Sequence, residues 1–301
     1  MTQTVLILGA SGKFGGHAAL AFESSGWNVR RFDRTSDSLD TAARGVDVIV
    51  NAWNMNYSQW AKQQLTIQPA VHRAALANDA TVIIPGNVYV FGEQTPAPWS
   101  NTSPYRAQNP LGRLRIEMEQ GYRDAGVRTI VLRAGDYLDT KASGNWFDKI
   151  LVSSLKKGVL TYPGNPSIDH AWGYLPDLAR ASVELSEKRN ELARFTDVCF
   201  PGYTLSGQEL ANALASVRGQ DVRIKQMAWW PLRLLSPFVA EMKHLIEMSY
   251  LWRTPHSLDA THFDALLPDF EMTPLEDALR RASAFVDATK NRNEALTKAA
   301  V

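Results

Sequence analysis

Three glycines, Gly9, Gly12 and Gly15, follow directly on the apolar run Val5-Leu6-Ile7-Leu8, and the segment Gly9-Ala10-Ser11-Gly12-Lys13-Phe14-Gly15-Gly16 passes into a helical pattern of Phe14, Ala18, Ala19 and Phe22. A strand that hands over to a helix through this spacing constrains the fold more than any other feature of the chain. The first glycine permits a tight turn, and the middle one lets backbone N–H groups approach a phosphate. The third lets helix and strand pack closely, with the helix N-terminus facing negative charge. The loop is therefore expected to cradle the pyrophosphate of a dinucleotide.

Strands and helices alternate through the first half, which predicts a parallel sheet covered on both faces. Strands are expected over Thr4–Leu8, Asn28–Phe32, Val46–Asn51, Thr81–Ile84, Thr129–Arg133 and Arg194–Cys199. Helices are expected over Lys13–Ser25, Tyr57–Asn78 with a break near Pro69, Pro110–Ala125, Trp146–Lys157 and Pro176–Glu187. Another starts at Ser206, a cap with Glu209 three residues on. The fold class is α/β: a Rossmann-type doubly wound parallel sheet with a smaller C-terminal substrate lobe. Residues 1–160 form the dinucleotide domain, 174–200 return to it, and 161–173 with 201–301 supply the lobe. The Pro- and Trp-rich stretch Gln94–Pro110 reads as a long loop beside the strand ends where ligands bind.

Charge excludes some partners. Lys plus Arg number 32 against 31 Asp plus Glu, so no net field favours nucleic acid or an anionic membrane as a general partner. A single cysteine and the absence of a basic start followed by an apolar stretch lead to a cytoplasmic expectation. The apolar segment Met227–Trp252 is broken by Pro231, Arg233, Pro237, Glu241 and Lys243, so it reads as a packing or dimer helix rather than a span or an interfacial membrane helix. A homodimer through the helix starting at Pro110 is expected. No metal is implied, because the six histidines lack ligand spacing and one cysteine builds no thiolate cluster.

By this point the chain resembles the extended short-chain dehydrogenases/reductases of the epimerase/dehydratase style. Besides the glycine loop, the resemblance rests on Val46-Asp47-Val48-Ile49-Val50-Asn51-Ala52, on Val90-Phe91-Gly92 and on Tyr174-Leu175-Pro176-Asp177-Leu178-Ala179-Arg180. It covers most of the length. One departure is structural: about a dozen residues separate Asp33 from Val46, hardly room for the usual extra strand and its crossover.

The other departures are catalytic. The resemblance implies a Ser or Thr that holds the substrate oxygen and a Tyr-x-x-x-Lys pair that supplies the proton, while hydride moves to or from a nicotinamide. Counting back from Gly92 puts Asn87 in the Ser/Thr place, and counting along the following helix puts Leu111 at the Tyr and Arg115 at the Lys. Leucine has no proton to give, and guanidinium does not titrate at working pH. Two readings follow. The chain is an atypical NAD(P)-dependent, epimerase-like oxidoreductase in which Asn87 polarises the acceptor oxygen and Tyr89, Tyr105, Tyr137 or water donates the proton. Alternatively it is a catalytically silent dinucleotide sensor, as NmrA-like members are.

Cofactor contacts are expected from Gly9, Ser11, Gly12, Lys13, Phe14, Gly15, Asp33, Arg34, Asn51, Ala52 and Trp53, with Asn87, Tyr89 and Arg115 around the nicotinamide. Asp33 suits the ribose hydroxyls of NAD and Arg34 the 2′-phosphate of NADP, with a slight lean to NADP. The aromatic and amide residues near the strand ends, Asn54, Trp146 and Trp172 among them, suit a small planar or hydrophobic carbonyl compound better than a sugar nucleotide, since no converging basic residues for a second diphosphate are evident.

Overall fold

The computed structural model describes residues 2–54 and 56–287. In chain order its first half runs β1 (Thr4–Leu8), α1 (Lys13–Ser24), β2 (Asn28–Phe32), α2 (Leu39–Ala42), β3 (Val48–Asn51), α3 (Trp60–Asn78), β4 (Thr81–Gly86), α4 (Pro110–Asp124) and β5 (Thr129–Arg133). There follow β6 (Asp136–Leu138), β7 (Val159–Tyr162), β8 (Asp169–Tyr174), α5 (Leu175–Glu187), β9 (Phe195–Cys199), β10 (Tyr203–Ser206), α6 (Gly207–Arg218) and β11 (Arg223–Gln226). The last elements are α7 (Trp230–Leu235), α8 (Ala240–Glu247), α9 (Thr261–Leu266) and α10 (Leu275–Ser283).

The central sheet has the order β2-β1-β3-β4-β5-β9, and every pairing in it is parallel. Strand alternation assigns the two faces. Val5, Ile7, Val48 and Val50 pack with Phe14, Ala18 and Phe22 of α1 and Leu175 and Leu178 of α5. Leu6, Leu8, Ile49, Val82 and Ile84 pack on the other side with Val71, Ala74 and Ala75 of α3 and Tyr122 of α4. The usual extra strand is missing: residues 33–47 hold only the single turn α2, and β2 is the sheet edge.

Two helix expectations need correction. The proline at 69 does not break α3, which runs through it from Trp60 to Asn78. One lost N–H at an exposed position is outweighed by the buried side of the helix, where Val71, Ala74 and Ala75 sit in the core. The expected helix over Trp146–Lys157 is instead a wide turn over Phe147–Leu151 and a short 3-10 turn over Leu155–Lys157. Val152 N donates to Phe147 O five residues back (3.0 Å), and Gly158 at φ 66° stops the second turn. Phe147, Leu151 and Leu155 still share one buried side, so the periodicity survives although the winding changes.

A separate core joins Leu138, Phe147 and Leu160 to Trp172, Leu210, Trp252 and Leu279, so part of the stretch before residue 160, expected in the dinucleotide domain, packs with the lobe. The lobe contains a three-stranded sheet, β10-β8-β6, and the pair β11-β7. Its helix α6 carries the expected cap: Ser206 Oγ accepts from Glu209 N (3.2 Å) while Glu209 Oε2 accepts from Ser206 N (2.8 Å).

Candidate active site

The glycine turn sits where the chain changes direction across the sheet. β1 pairs with β2 on one side and β3 on the other, so a crevice opens past their C-terminal ends. Gly9 has φ 81°, and a Cβ there would lie 2.9 Å from Ala52 O. A Cβ on Gly15 would lie 2.2 Å from Gly9 O, so only glycine lets α1 approach β1 this closely. Gly12 N donates to Gly9 O (2.9 Å), and α1 begins with no side-chain cap and no acidic residue in its first turn. Such an uncapped helix end behind a side-chain-free turn fits a pyrophosphate.

The crevice opens into a cavity of about 1490 Å³. Of the residues expected at the site, its wall includes Gly9, Ser11, Gly12, Lys13 and Phe14, then Asp33, Arg34, Asn51, Ala52, Trp53 and Asn54, and finally Asn87, Tyr89, Arg115 and Trp146. Gly15 lies behind the wall at the helix–strand crossing. Trp172 is elsewhere: it is buried in the lobe core against Phe147, His170 and Trp252, where alternation along β8 turns it from the cavity.

At one end, the rings of Phe32 and Trp53 meet edge to face at 5.3 Å. Asp33 Oδ1 accepts from Thr35 N (2.9 Å) and Thr35 Oγ1 (2.7 Å), which holds the carboxyl below its usual range. Arg31 pairs with Glu23 at 2.6 Å and Arg30 donates to Ala42 O and Arg44 O, so neither guanidinium is free. Arg34 makes no hydrogen bond or ion pair among the described residues and is exposed on the cavity rim.

Lys13 crosses the mouth of the crevice. Its Nζ donates to Gly144 O and Asn145 Oδ1, both at 2.8 Å, and burial lowers its pKa. His17, one turn on, lies 2.7 Å from Asp139 Oδ1. Two side chains of α1 thus tie the 139–145 segment over the glycine turn. Lys141 and Lys149 also line this end, a basic cluster that sequence reasoning missed because it comes from a segment far along the chain.

At the other end, Asn87 Oδ1 accepts from Tyr89 N (3.1 Å), leaving its Nδ2 as the donor available to a ligand. The hydroxyls of Tyr89 and Tyr57 lie 2.8 Å apart. Burial raises both phenols, Tyr57 to about 12 and Tyr89 well above its ordinary value. Tyr137, also on the wall, is pushed up to about 12 by burial. Arg115 is packed over Trp60 (5.8 Å), donates through Nη2 to Pro85 O (3.0 Å) and lies 3.7 Å from Glu119. Leu111, which counting puts at the tyrosine position, is wholly buried among Val88, Phe91 and Met248, with its N–H donated to Glu247. Tyr105 is likewise unavailable: its hydroxyl is taken up by Asp197 and Arg133.

Three polar atoms in the wall have no hydrogen-bond partner: Asn51 Oδ1, Arg115 Nε and His256 Nε2. His256 Nδ1 donates to Thr254 O (2.8 Å), which leaves Nε2 as a bare acceptor, and burial lowers this imidazole to about 3. Asp136, on the same wall, is held by His170 Nε2 at 2.8 Å. Among the described residues no group of His, Cys, Asp or Glu could hold a metal ion, and no helix is long and apolar enough to cross a membrane.

No family model matches the sequence, and no curated protein matches it. Solved structures match the fold over nearly the whole chain. A UDP-glucose-4-epimerase from Stenotrophomonas maltophila, with bound NAD and formylated UDP-arabinopyranose, superposes with a TM-score of 0.73 at 15% identity, covering 97% of this chain and 100% of that one. A nucleoside-diphosphate-sugar epimerase from Pseudomonas aeruginosa gives 0.72 at 16% identity over 96% and 99%. A UDP-glucuronic acid 4-epimerase from Bacillus cereus in complex with NAD gives 0.69 at 14% identity over 95% and 99%. The six-stranded parallel sheet, its glycine crevice and its lobe together share the fold of these nucleoside-diphosphate-sugar epimerases.

Proposed function

We propose that the chain is an NAD(P)-dependent oxidoreductase of the epimerase-like type, acting on a small apolar carbonyl compound without the Tyr-x-x-x-Lys pair. The observation that carries this reading is the continuity of one cavity from the glycine turn to the Tyr57–Tyr89 hydroxyl pair. The fold neighbours that hold NAD support the choice of cofactor. Gly9, Ser11 and Gly12 would hold its pyrophosphate, Phe32 and Trp53 would flank the adenine, and Asn87 and Arg115 would border the nicotinamide. When bound, the cofactor supplies the hydride.

The residues supply the rest. Asn87 Nδ2 donates to the carbonyl oxygen, and Tyr89, backed by Tyr57, gives that oxygen its proton. A phenol raised by burial stays protonated at ordinary pH, the form that can donate to an oxygen. Trp60, Leu114, Trp146, Leu232, Met242 and Leu245 enclose the substrate end in apolar surface, which suits a quinone, enone or other hydrophobic carbonyl.

The test is a titration with NADPH and then NADH that follows energy transfer from tryptophan to the reduced nicotinamide, followed by a screen of quinones, enones and hydrophobic aldehydes. Micromolar binding and turnover of at least one acceptor support the reading; failure of both dinucleotides to bind removes it. The burial of Leu111 at the usual proton donor's place favours a second reading, a dinucleotide sensor without turnover. Tight binding with no acceptor reduced, and a protein partner retained with only one redox form, would support that instead.

A further inference from the structure

The wall formed by α7, α8 and the residues just before them is mostly apolar toward the cavity, apart from Glu241, and apolar again toward solvent. Met227, Leu232, Met242 and Leu245 line the cavity. Trp230 (68% exposed), Leu234 (67%), Leu235 (48%) and Phe238 (85%) face solvent in the same stretch, and neither helix has a buried residue. Val239 is exposed beside them, whereas Leu20, Leu76 and Met272, the remaining exposed large apolar residues among those described, are scattered over distant elements. Contiguous exposure of this kind marks an interaction surface.

Charge selects the occupant. Arg233 and Lys243 are exposed within the stretch and have no ion-pair partner among the described residues. Of the two carboxylates on α7 and α8, Glu241 lines the cavity and Glu247 is held by Asn109 Nδ2 and the Leu111 N–H. We propose that this face docks on a bilayer bearing anionic headgroups, Trp230 and Phe238 entering the interface while Arg233 and Lys243 meet phosphates. A second copy of the chain suits it poorly, since a two-fold pairing through this face would bring Arg233 and Lys243 of both copies into one interface with no exposed carboxylate of α7 or α8 to answer them. Because the docked face is also the cavity wall, docking sets the chamber beside the acyl region and gives an apolar substrate a route from the bilayer. That route rests on the function proposed above, whereas docking does not.

The experiment floats the full chain with vesicles of phosphatidylcholine alone and of phosphatidylcholine with phosphatidylglycerol. Comigration with the anionic vesicles, weakened by salt, is the expected result. The surface double variant Leu234→Ser with Phe238→Ser should reduce the bound fraction by about tenfold while leaving the dinucleotide titration unchanged. Absence from both vesicle types overturns docking, as does comigration that the double variant does not reduce. A concentration-dependent dimer that the double variant abolishes, without vesicle binding, assigns the face to a second copy and also overturns it. Loss of docking with dinucleotide binding intact leaves the oxidoreductase reading standing, and the reverse result removes that reading alone.

Discussion

The carbonyl of Asn87 accepts a 2.6 Å hydrogen bond from Nη1 of Arg133, a guanidinium with no exposure to solvent. The same side chain donates to Glu119 (2.8 Å), to Asp197 (2.8 Å) and to Tyr105 (2.7 Å). With the half-buried Arg115 beside Glu119, two cations balance two buried carboxylates. The backbone at Asn87 is thus held from behind by a network anchored in β5, α4 and β9. Arg133→Leu leaves two carboxylates without their cation and should cost about 3–5 kcal/mol of stability. Arg133→Lys should recover little, because an ammonium cannot span the fork. Urea unfolding measures both, and a loss below about 1 kcal/mol would show that the network does not brace the site.

The hydroxyl pair predicts a kinetic signature. Tyr89→Phe should lower kcat by about a hundredfold or more with little change in dinucleotide Kd, and Tyr57→Phe should lower it less, since Tyr57 acts through Tyr89. With the phenols raised by burial, no tyrosine limb should enter the pH–rate profile below about pH 10. The measurement uses whichever acceptor the screen yields. Full turnover by Tyr89→Phe would remove the assignment.

His256 predicts a slope in stability. Its imidazole is lowered by burial to about 3, so the unfolded chain binds a proton that the folded chain does not over the interval from roughly 6.5 down to that value. A depressed group stabilises above its unfolded pKa and loses that contribution as pH falls toward the folded one. Stability should therefore drop by about 1.4 kcal/mol per pH unit through this interval from His256 alone. His256→Gln should flatten the curve by that amount. Parallel curves for the two proteins would refute the assignment.

The adenosine end separates the two dinucleotides. Arg34→Ala should weaken NADPH by about tenfold and leave NADH nearly unchanged, because the guanidinium lost is the unpaired one at the rim. Asp33→Ala should weaken NADH instead. Equal changes for both cofactors would place the adenosine away from these two residues.

What could be read from the chain was what local spacing encodes. Gly9, Gly12 and Gly15 mark a turn whose geometry depends on the next few residues, and Asn87, Leu111 and Arg115 stand at countable offsets from strand and helix starts. The Tyr57–Tyr89 pair was legible only in half, as Tyr89. Its partner arrives from the segment after β3, brought near by the adjacency of β3 and β4. The Lys13–Gly144 tie and the Arg133 network join elements that no periodicity connects. Trp172 misled because an aromatic residue near a strand end serves core and pocket equally well, and only alternation against a neighbouring strand decides. The lobe strands were missed because most are only three or four residues long.

Removing one strand from the sheet has also left the backbone of β2 without a neighbour on its outer side. An unpaired edge is a template for intermolecular strand addition unless charge or cover blunts it. Arg30 and Arg31 blunt this one, the first folded back onto the carbonyls after α2 and the second paired with Glu23 on α1. The segment proposed to meet the adenosine is therefore continuous with the edge that these arginines cover. Engineering of cofactor preference that strays upstream from Arg34 into these arginines would be read out as loss of solubility rather than as a change in affinity.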